Sequence, residues 1–257
     1  MSDTSLLKSF TSSKWKGPLA IGLLHLALSL AAFHGTQFPG GDDATYISLA
    51  KSLMQGHGYV DIWDPALHPH TQYPPVFPLI VAGGLLAGLS PFAGLKLMMV
   101  FISATTVFVS CLWLRRVSSP AIALCAGLFI AISPEIIRLG QIALSDVPFW
   151  LFAILSLLAW RRADNGVAES DGRMPVGWVI AATAATLAAY FTRSAGAPLL
   201  LATLIWLLIR RQRRAIAIVL GVSLPLILAW WYRGHAAGAG GYLGPFLSVD
   251  PYDPALG

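Results

Sequence analysis

Apolar residues gather into eight long runs, near 17–34, 75–90, 92–114, 119–133, 147–160, 177–191, 194–209 and 215–233, and most of the charge lies in the short stretches between them. Runs of this length predict α-helices in or across lipid, since a span needs about 20 residues, with a range of about 17 to 25. Several are short and must borrow flanking residues or sit in a locally thin bilayer. The first outer loop also predicts a short amphipathic helix. Tyr46, Ile47, Ala50, Leu53 and Met54 fall on one face, Thr45, Ser48, Lys51, Ser52 and Gln55 on the other, and Gly56 is a natural stop.

The arginines decide which runs cross. If all eight cross and the Lys-rich start (Lys8, Lys14, Lys16) is cytoplasmic, then Arg115-Arg116, Arg161-Arg162 and Arg210 to Arg214 all fall outside, against the positive-inside rule. If 75–90 does not cross, all three clusters join the N-terminal lysines inside. That run supports the reassignment itself: Pro74, Pro75 and Pro78 crowd its start, Gly83, Gly84 and Gly88 thin its middle, and Ser90-Pro91 ends it. It is therefore expected to lie in the outer interface. The predicted fold is all-α and membrane-integral, with seven transmembrane helices and two interfacial helices in the first outer loop. Residues 1–16 form a cytoplasmic tail, 17–233 the membrane module with an outer loop at 35–91 and an inner linker at 161–176, and 234–257 an outer-face stretch. The first run reads as an uncleaved signal anchor, and no tandem repeat is visible.

Composition agrees with lipid as the solvent: apolar types are 56% of the 257 residues and charged types 11%, too apolar a balance for one soluble core to hide. The net charge of +5 sits beside apolar runs rather than on a polar domain, so it marks membrane flanks and not a nucleic-acid footprint. Cys111 and Cys125 lie inside apolar runs and read as buried packing residues.

Candidate chemistry collects on the outer face. Asp42 and Asp43 precede the amphipathic helix; one of them, Asp43, reads as its N-cap, but one cap needs only one carboxylate, which leaves a second for proton abstraction. The loop at 133–146 carries Glu135, Arg138, Gln141 and Asp146, the last read as a helix N-cap or as a working acid. Arg193 lies between apolar runs on the face where arginine is disfavoured, so an anion should meet it. Tyr59, Trp63 and Tyr73 supply aromatic surface there. His57, His68 and His70 read more readily as solvated loop residues than as metal ligands, because no pair has helical ligand spacing. His25 and His235 carry no assignment.

The strings GDDATYISLAKSLMQGHGY, HTQYPPVFPLIVAGGL, LSDVPFWLF and YFTRSAGAPLL, in this order, resemble the polyprenyl-phosphate-sugar glycosyltransferases of the GT-C type, among them protein O-mannosyltransferases and the aminoarabinose transferase that modifies lipid A. The resemblance runs from about residue 17 to the end. It implies a transfer of a hexosyl or pentosyl group from a polyprenyl-phosphate donor to a hydroxyl of a glycan, lipid or protein acceptor, with inversion, on the outer face of a bacterial inner membrane. Residue by residue, it places the general base at Asp42, with Asp43 as nearest substitute, a second acid at Asp146, and donor-phosphate binding at Arg193, to which Arg138 of the same outer face is added as a second candidate. Tyr73, Gln72, His57 and Glu135 complete the candidate substrate site. Gln72 stands where some relatives carry an acidic metal ligand, so a divalent metal stays an open question and no other cofactor is implied. The ending Val-Asp-Pro-Tyr-Asp-Pro-Ala-Leu-Gly reads as the middle of an outer loop, the pattern of a truncated or partial chain. The rival readings are a transporter or flippase of lipid-linked substrates and an inactive membrane scaffold. The first is weakened because ionisable residues sit at span ends, apart from His25 and Lys96.

Overall fold

Each of the eight apolar runs is helical in the computed structural model, which describes residues 14–34, 41–168 and 172–237. In chain order the helices are α1 (Lys16–Ala31), α2 (Asp42–Met54), α3 (Val76–Leu86), α4 (Ala93–Val117), α5 (Pro120–Ile132), α6 (Pro134–Leu139), α7 (Asp146–Asn165), α8 (Val176–Thr192), α9 (Ala197–Ile209) and α10 (Arg213–Ala236), with a 3₁₀ turn at Ser194–Gly196 before α9. Among the described residues the β pairing is an isolated bridge, Val60 to Pro69, within the first loop.

Local chemistry sets the helix ends. Proline occupies the first turn of α5, α6 and α9, where its missing N–H is not needed, and Ser119 caps α5 by accepting from Ile122 N–H at 3.4 Å. Helix α2 stops at Gly56, whose φ of +78° is the left-handed conformation that glycine tolerates. Its last carbonyls are closed by Gly56 N–H to Leu53 O and by His57 N–H to Ser52 O, at 3.2 and 3.1 Å.

Three buried clusters hold the helices. The α2–α3 pair packs Tyr46, Ile47, Ala50, Phe77 and Val81 onto Leu95 and Met99 of α4 and Val147 of α7. Ile21 of α1 meets Val107 and Cys111 of α4 and Ala131 of α5. Trp160 and Ala163 of α7 pack with Val179 and Ala182 of α8, Leu207 of α9 and Val219 of α10. Deep in the second cluster's neighbourhood, fully buried His25 bonds Ala131 O and Ser103 Oγ, both at 2.8 Å, and so ties α1, α4 and α5 through polar groups that would otherwise be unsatisfied. Large apolar side chains such as Leu23, Phe101, Phe129, Leu208 and Leu228 face outward.

The bundle has two chemically distinct ends. The first loop, the segment before α7, the α8–α9 turn and the end of α10 meet at one of them. The arginine clusters gather at the other, where Arg210 reaches Asp164 at 2.5 Å and Gln212 holds Gly172 O at 3.0 Å.

Helix lengths and side-chain placement refine some expectations and correct others. By length and composition only α4 and α10 are apolar and long enough to cross a membrane among the described residues; α1, α3, α5, α8 and α9 are shorter apolar helices, and the 20-residue α7 carries Asp146 at its start and Arg161, Arg162 and Asp164 near its end. Helix α3, with 11 residues, is about 17 Å long and far short of a bilayer core of about 30 Å. Asp43 is not an N-cap: Gly41 holds that position, and both Asp42 and Asp43 lie in the first turn, where the helix dipole favours acids. Asp146 likewise follows the N-cap residue Ser145. Ser52, expected on a polar face, is buried because its hydroxyl donates to Gly58 O at 2.8 Å, while Met54, expected on the apolar face, is exposed. Cys125 is exposed, since α5 turns that side outward. Helix α7 continues to Asn165, so the inner linker begins later than its polar composition suggested.

Candidate functional site

A cavity of about 550 Å³ opens at the acidic end, lined by Asp42 and Tyr46 of α2, Gln72, Tyr73 and Pro74 of the first loop, Ser145 before α7, and Thr192 to Ala195 with Pro198. Two charges of opposite sign line it. Asp42 enters from the start of α2 and accepts from the Tyr73 hydroxyl through Oδ1 at 2.6 Å, which leaves its second oxygen for another partner. Arg193 enters from a different element, where α8 ends and the chain folds back. That fold requires a glycine: a Cβ on Gly196 would stand 2.6 Å from Tyr190 Cα. The guanidinium pairs with Asp146 at 2.5 Å and reaches Ser145 Oγ at 3.5 Å, and Ser145 in turn shares a 3.0 Å bond with the Tyr46 hydroxyl. Burial pushes the Tyr46 phenol above its usual range, so it stays a neutral bridge. Both Arg193 and Asp146 keep 43% of their side chains accessible, so the pair can exchange partners with a ligand.

Behind Tyr73 lies a buried brace that the loop histidines did not announce. His70 is 4% exposed rather than solvated. Its Nε2 accepts from Tyr73 N–H at 3.0 Å, which fixes the proton on Nδ1, and Nδ1 donates to Asp61 Oδ1 at 2.7 Å. The His70 and Tyr73 rings stack with centroids 5.3 Å apart, and Tyr46 packs on the other side of Tyr73 at 4.8 Å. Burial lowers the His70 pKa, partly opposed by Asp61. Arg233 of α10 donates to His70 O at 2.7 Å and Tyr59 O at 2.6 Å, and lies 5.2 Å from the ring centres of Tyr59 and Trp230. The Tyr59 hydroxyl donates onward to Tyr73 O at 2.9 Å.

Other candidates stand elsewhere. Arg138 and Glu135 form an exposed pair on α6, with bonds of 3.0 and 2.6 Å, and neither lines the cavity. The contact holds the Glu135 carboxyl below its usual range and raises Arg138. His57 is exposed beyond the end of α2. Asp43 does not line the cavity and is 1% exposed; its Oδ1 accepts from Ala44 N–H at 2.9 Å, and its Oδ2 has no partner among the described residues. Among the described residues no three His, Cys, Asp or Glu side chains converge on a metal position, and Gln72 offers the cavity a neutral carboxamide.

Compared with known proteins, residues 48–235 match the family described as dolichyl-phosphate-mannose-protein mannosyltransferase. No curated protein and no solved structure matches the chain.

Proposed function

The chain belongs to the dolichyl-phosphate-mannose-protein mannosyltransferase family, and from that premise we propose that it moves a sugar from a polyprenyl-phosphate donor to an acceptor hydroxyl in the cavity between Asp42 and Arg193. The observation that carries this reading is one cavity lined by both a carboxylate, Asp42, and a guanidinium, Arg193. Glycosyl transfer from a lipid phosphate needs both: a proton leaves the attacking hydroxyl while negative charge grows on the departing phosphate.

In the proposed step the acceptor oxygen bonds to the anomeric carbon as the bond from that carbon to the phosphate oxygen breaks. Asp42 takes the hydroxyl proton on the oxygen that Tyr73 does not occupy. Arg193, aimed by Asp146 and Ser145, receives the phosphate, for which a guanidinium fork is well shaped. Attack and departure on opposite sides invert the anomeric centre. Asp146 thus acts as a positioning acid, and the donor phosphate competes with it for Arg193. Tyr73 holds Asp42 in place.

The same reading assigns the membrane. Helices α1, α4, α5, α7, α8, α9 and α10 are the seven proposed spans of a module covering 17–233, with α2 and α3 at the outer interface and residues 1–16 inside. Its support is the sorting of the described arginine clusters to one end of the bundle and of the cavity to the other. In purified protein in nanodiscs, a polyprenyl-phosphate sugar and a hydroxyl acceptor should yield polyprenyl phosphate and a product of inverted anomeric configuration. Retained configuration would overturn direct displacement, and donor consumption unaffected by loss of Asp42 and Arg193 would overturn the site.

A further inference from the structure

At the basic end of the bundle a second cavity, of about 310 Å³, is lined by Lys14, Trp15, Leu112, Arg115, Arg116 and Arg162. These cations come from three elements: the turn before α1, the end of α4 and the last turns of α7. Along α7, the 16 residues from Asp146 to Arg162 separate this cavity from the proposed active site by about 24 Å. No acid lines it.

Basic residues beside a span ordinarily anchor it by pointing out toward headgroups. Here they converge on one space. Arg116 is half-buried and within coulombic reach of both Arg161 and Arg162, so like charges are held together. Elsewhere Arg138, Arg193 and Arg210 each find a carboxylate; Arg116 and Arg162 find none among the described residues. Lys14 stands at the amino end of α1, where the helix dipole already favours an anion over a cation. An arrangement that repels itself is stabilised when an anion enters it. The rest of the lining is apolar: Leu112 and Trp15, whose ring packs on Phe108 at 6.3 Å.

We propose that this cavity binds the phosphate of an anionic phospholipid of the inner leaflet, with the arginines and Lys14 on the phosphate and Leu112 and Trp15 along the glycerol and upper acyl chain. Basic pockets between spanning helices are suited to such headgroups. The cluster at Arg210 to Arg214 serves as an internal contrast, because Arg210 is neutralised by Asp164 and none of these residues lines this cavity. The proposal concerns the end of the bundle remote from Asp42 and stands or falls separately from the transfer chemistry.

The test uses the full chain in detergent micelles, titrated with short-chain phosphatidate, short-chain phosphatidylcholine or inorganic phosphate, with binding read by native mass spectrometry and by the shift in Tm. Phosphatidate should bind in preference to phosphatidylcholine. Arg116→Gln with Arg162→Gln should weaken phosphatidate by at least about tenfold, the scale of a lost charge-assisted bond. Arg211→Gln with Arg214→Gln removes the same charge and should leave binding nearly unchanged. Equal loss in both pairs would reduce the effect to overall charge and overturn the site. Inorganic phosphate binding as tightly as the lipid, with the same dependence on Arg116 and Arg162, would overturn the lipid as its source. Should the first pair fail to fold, Lys14→Gln at its exposed position decides: phosphatidate affinity must fall severalfold, and an unchanged affinity overturns the proposal.

Discussion

Replacing Asp42 with asparagine keeps an oxygen for the Tyr73 hydroxyl and removes the charge needed to hold a proton. Turnover should fall by roughly 10²-fold or more with donor binding intact, the scale of lost general-base help. Asp43→Asn should cost far less, because that side chain is buried and does not line the cavity; equal losses in the two variants would remove Asp42 from its role. The neighbouring histidines give a second prediction, read by histidine NMR. His68, bonded to Asp64, should titrate above 6.5, and buried His70 below it. For His70 the folded pKa is the depressed one, so its contribution to stability is present above 6.5 and is lost as pH falls from there through the folded value. Protonation of Nε2 would also break its bond from Tyr73 N–H, so acid should loosen Tyr73 as well. A His70 titration above that of His68 would contradict the brace. That Asp42, Tyr73 and Arg193 would stand at one end of the bundle was legible in the sequence, because charged and aromatic side chains at the ends of apolar runs stand out, whereas Gln72 entered only through the family resemblance. His70 was not, because its burial depends on Arg233 and Tyr73 and leaves no trace in its own neighbours along the chain.

The helices were legible for a different reason. Apolar runs bounded by proline, glycine and arginine announce helices directly, and all eight formed. What sequence alone could not supply was length in space: α7 runs on through its charged end to Asn165, and α3 stops after 11 residues. The short α3 yields a third prediction. With Cys125 replaced by alanine, a cysteine at exposed Ala87, just past α3, should react with an impermeant thiol reagent added from outside, whereas one at Ala168, beyond α7, should react only after the membrane is opened. Gly84 is a poorer probe, since it is buried. Labelling of Ala87→Cys from the inside alone would put α3 across the membrane and carry Arg193 to the inner face.

The described bundle closes on its first loop through α10. Arg233 lies 163 residues beyond His70 and 174 beyond Tyr59, yet its guanidinium donates to both of their carbonyls and lies close to the rings of Tyr59 and Trp230. From there the contacts run without a break: His70 to the Tyr73 backbone, Tyr73 to Asp42. The geometry of the proposed base therefore depends on α10 being docked. Arg233→Gln cannot make both bonds with the same reach and leaves two carbonyls wanting donors, a cost of about 2 kcal/mol or more by the usual scale of charge-assisted bonds. The expected result is faster proteolysis within residues 55–72 and a lower turnover, with Arg233→Lys recovering part of each, since one ammonium can bridge only some of the same acceptors. Asp42→Asn supplies the contrast, because it should lower turnover without changing the proteolysis. If Arg233→Gln leaves loop cleavage and turnover both at the parent level, the end of α10 is a bystander, and the positioning of Asp42 must come from the α2–α3 packing alone.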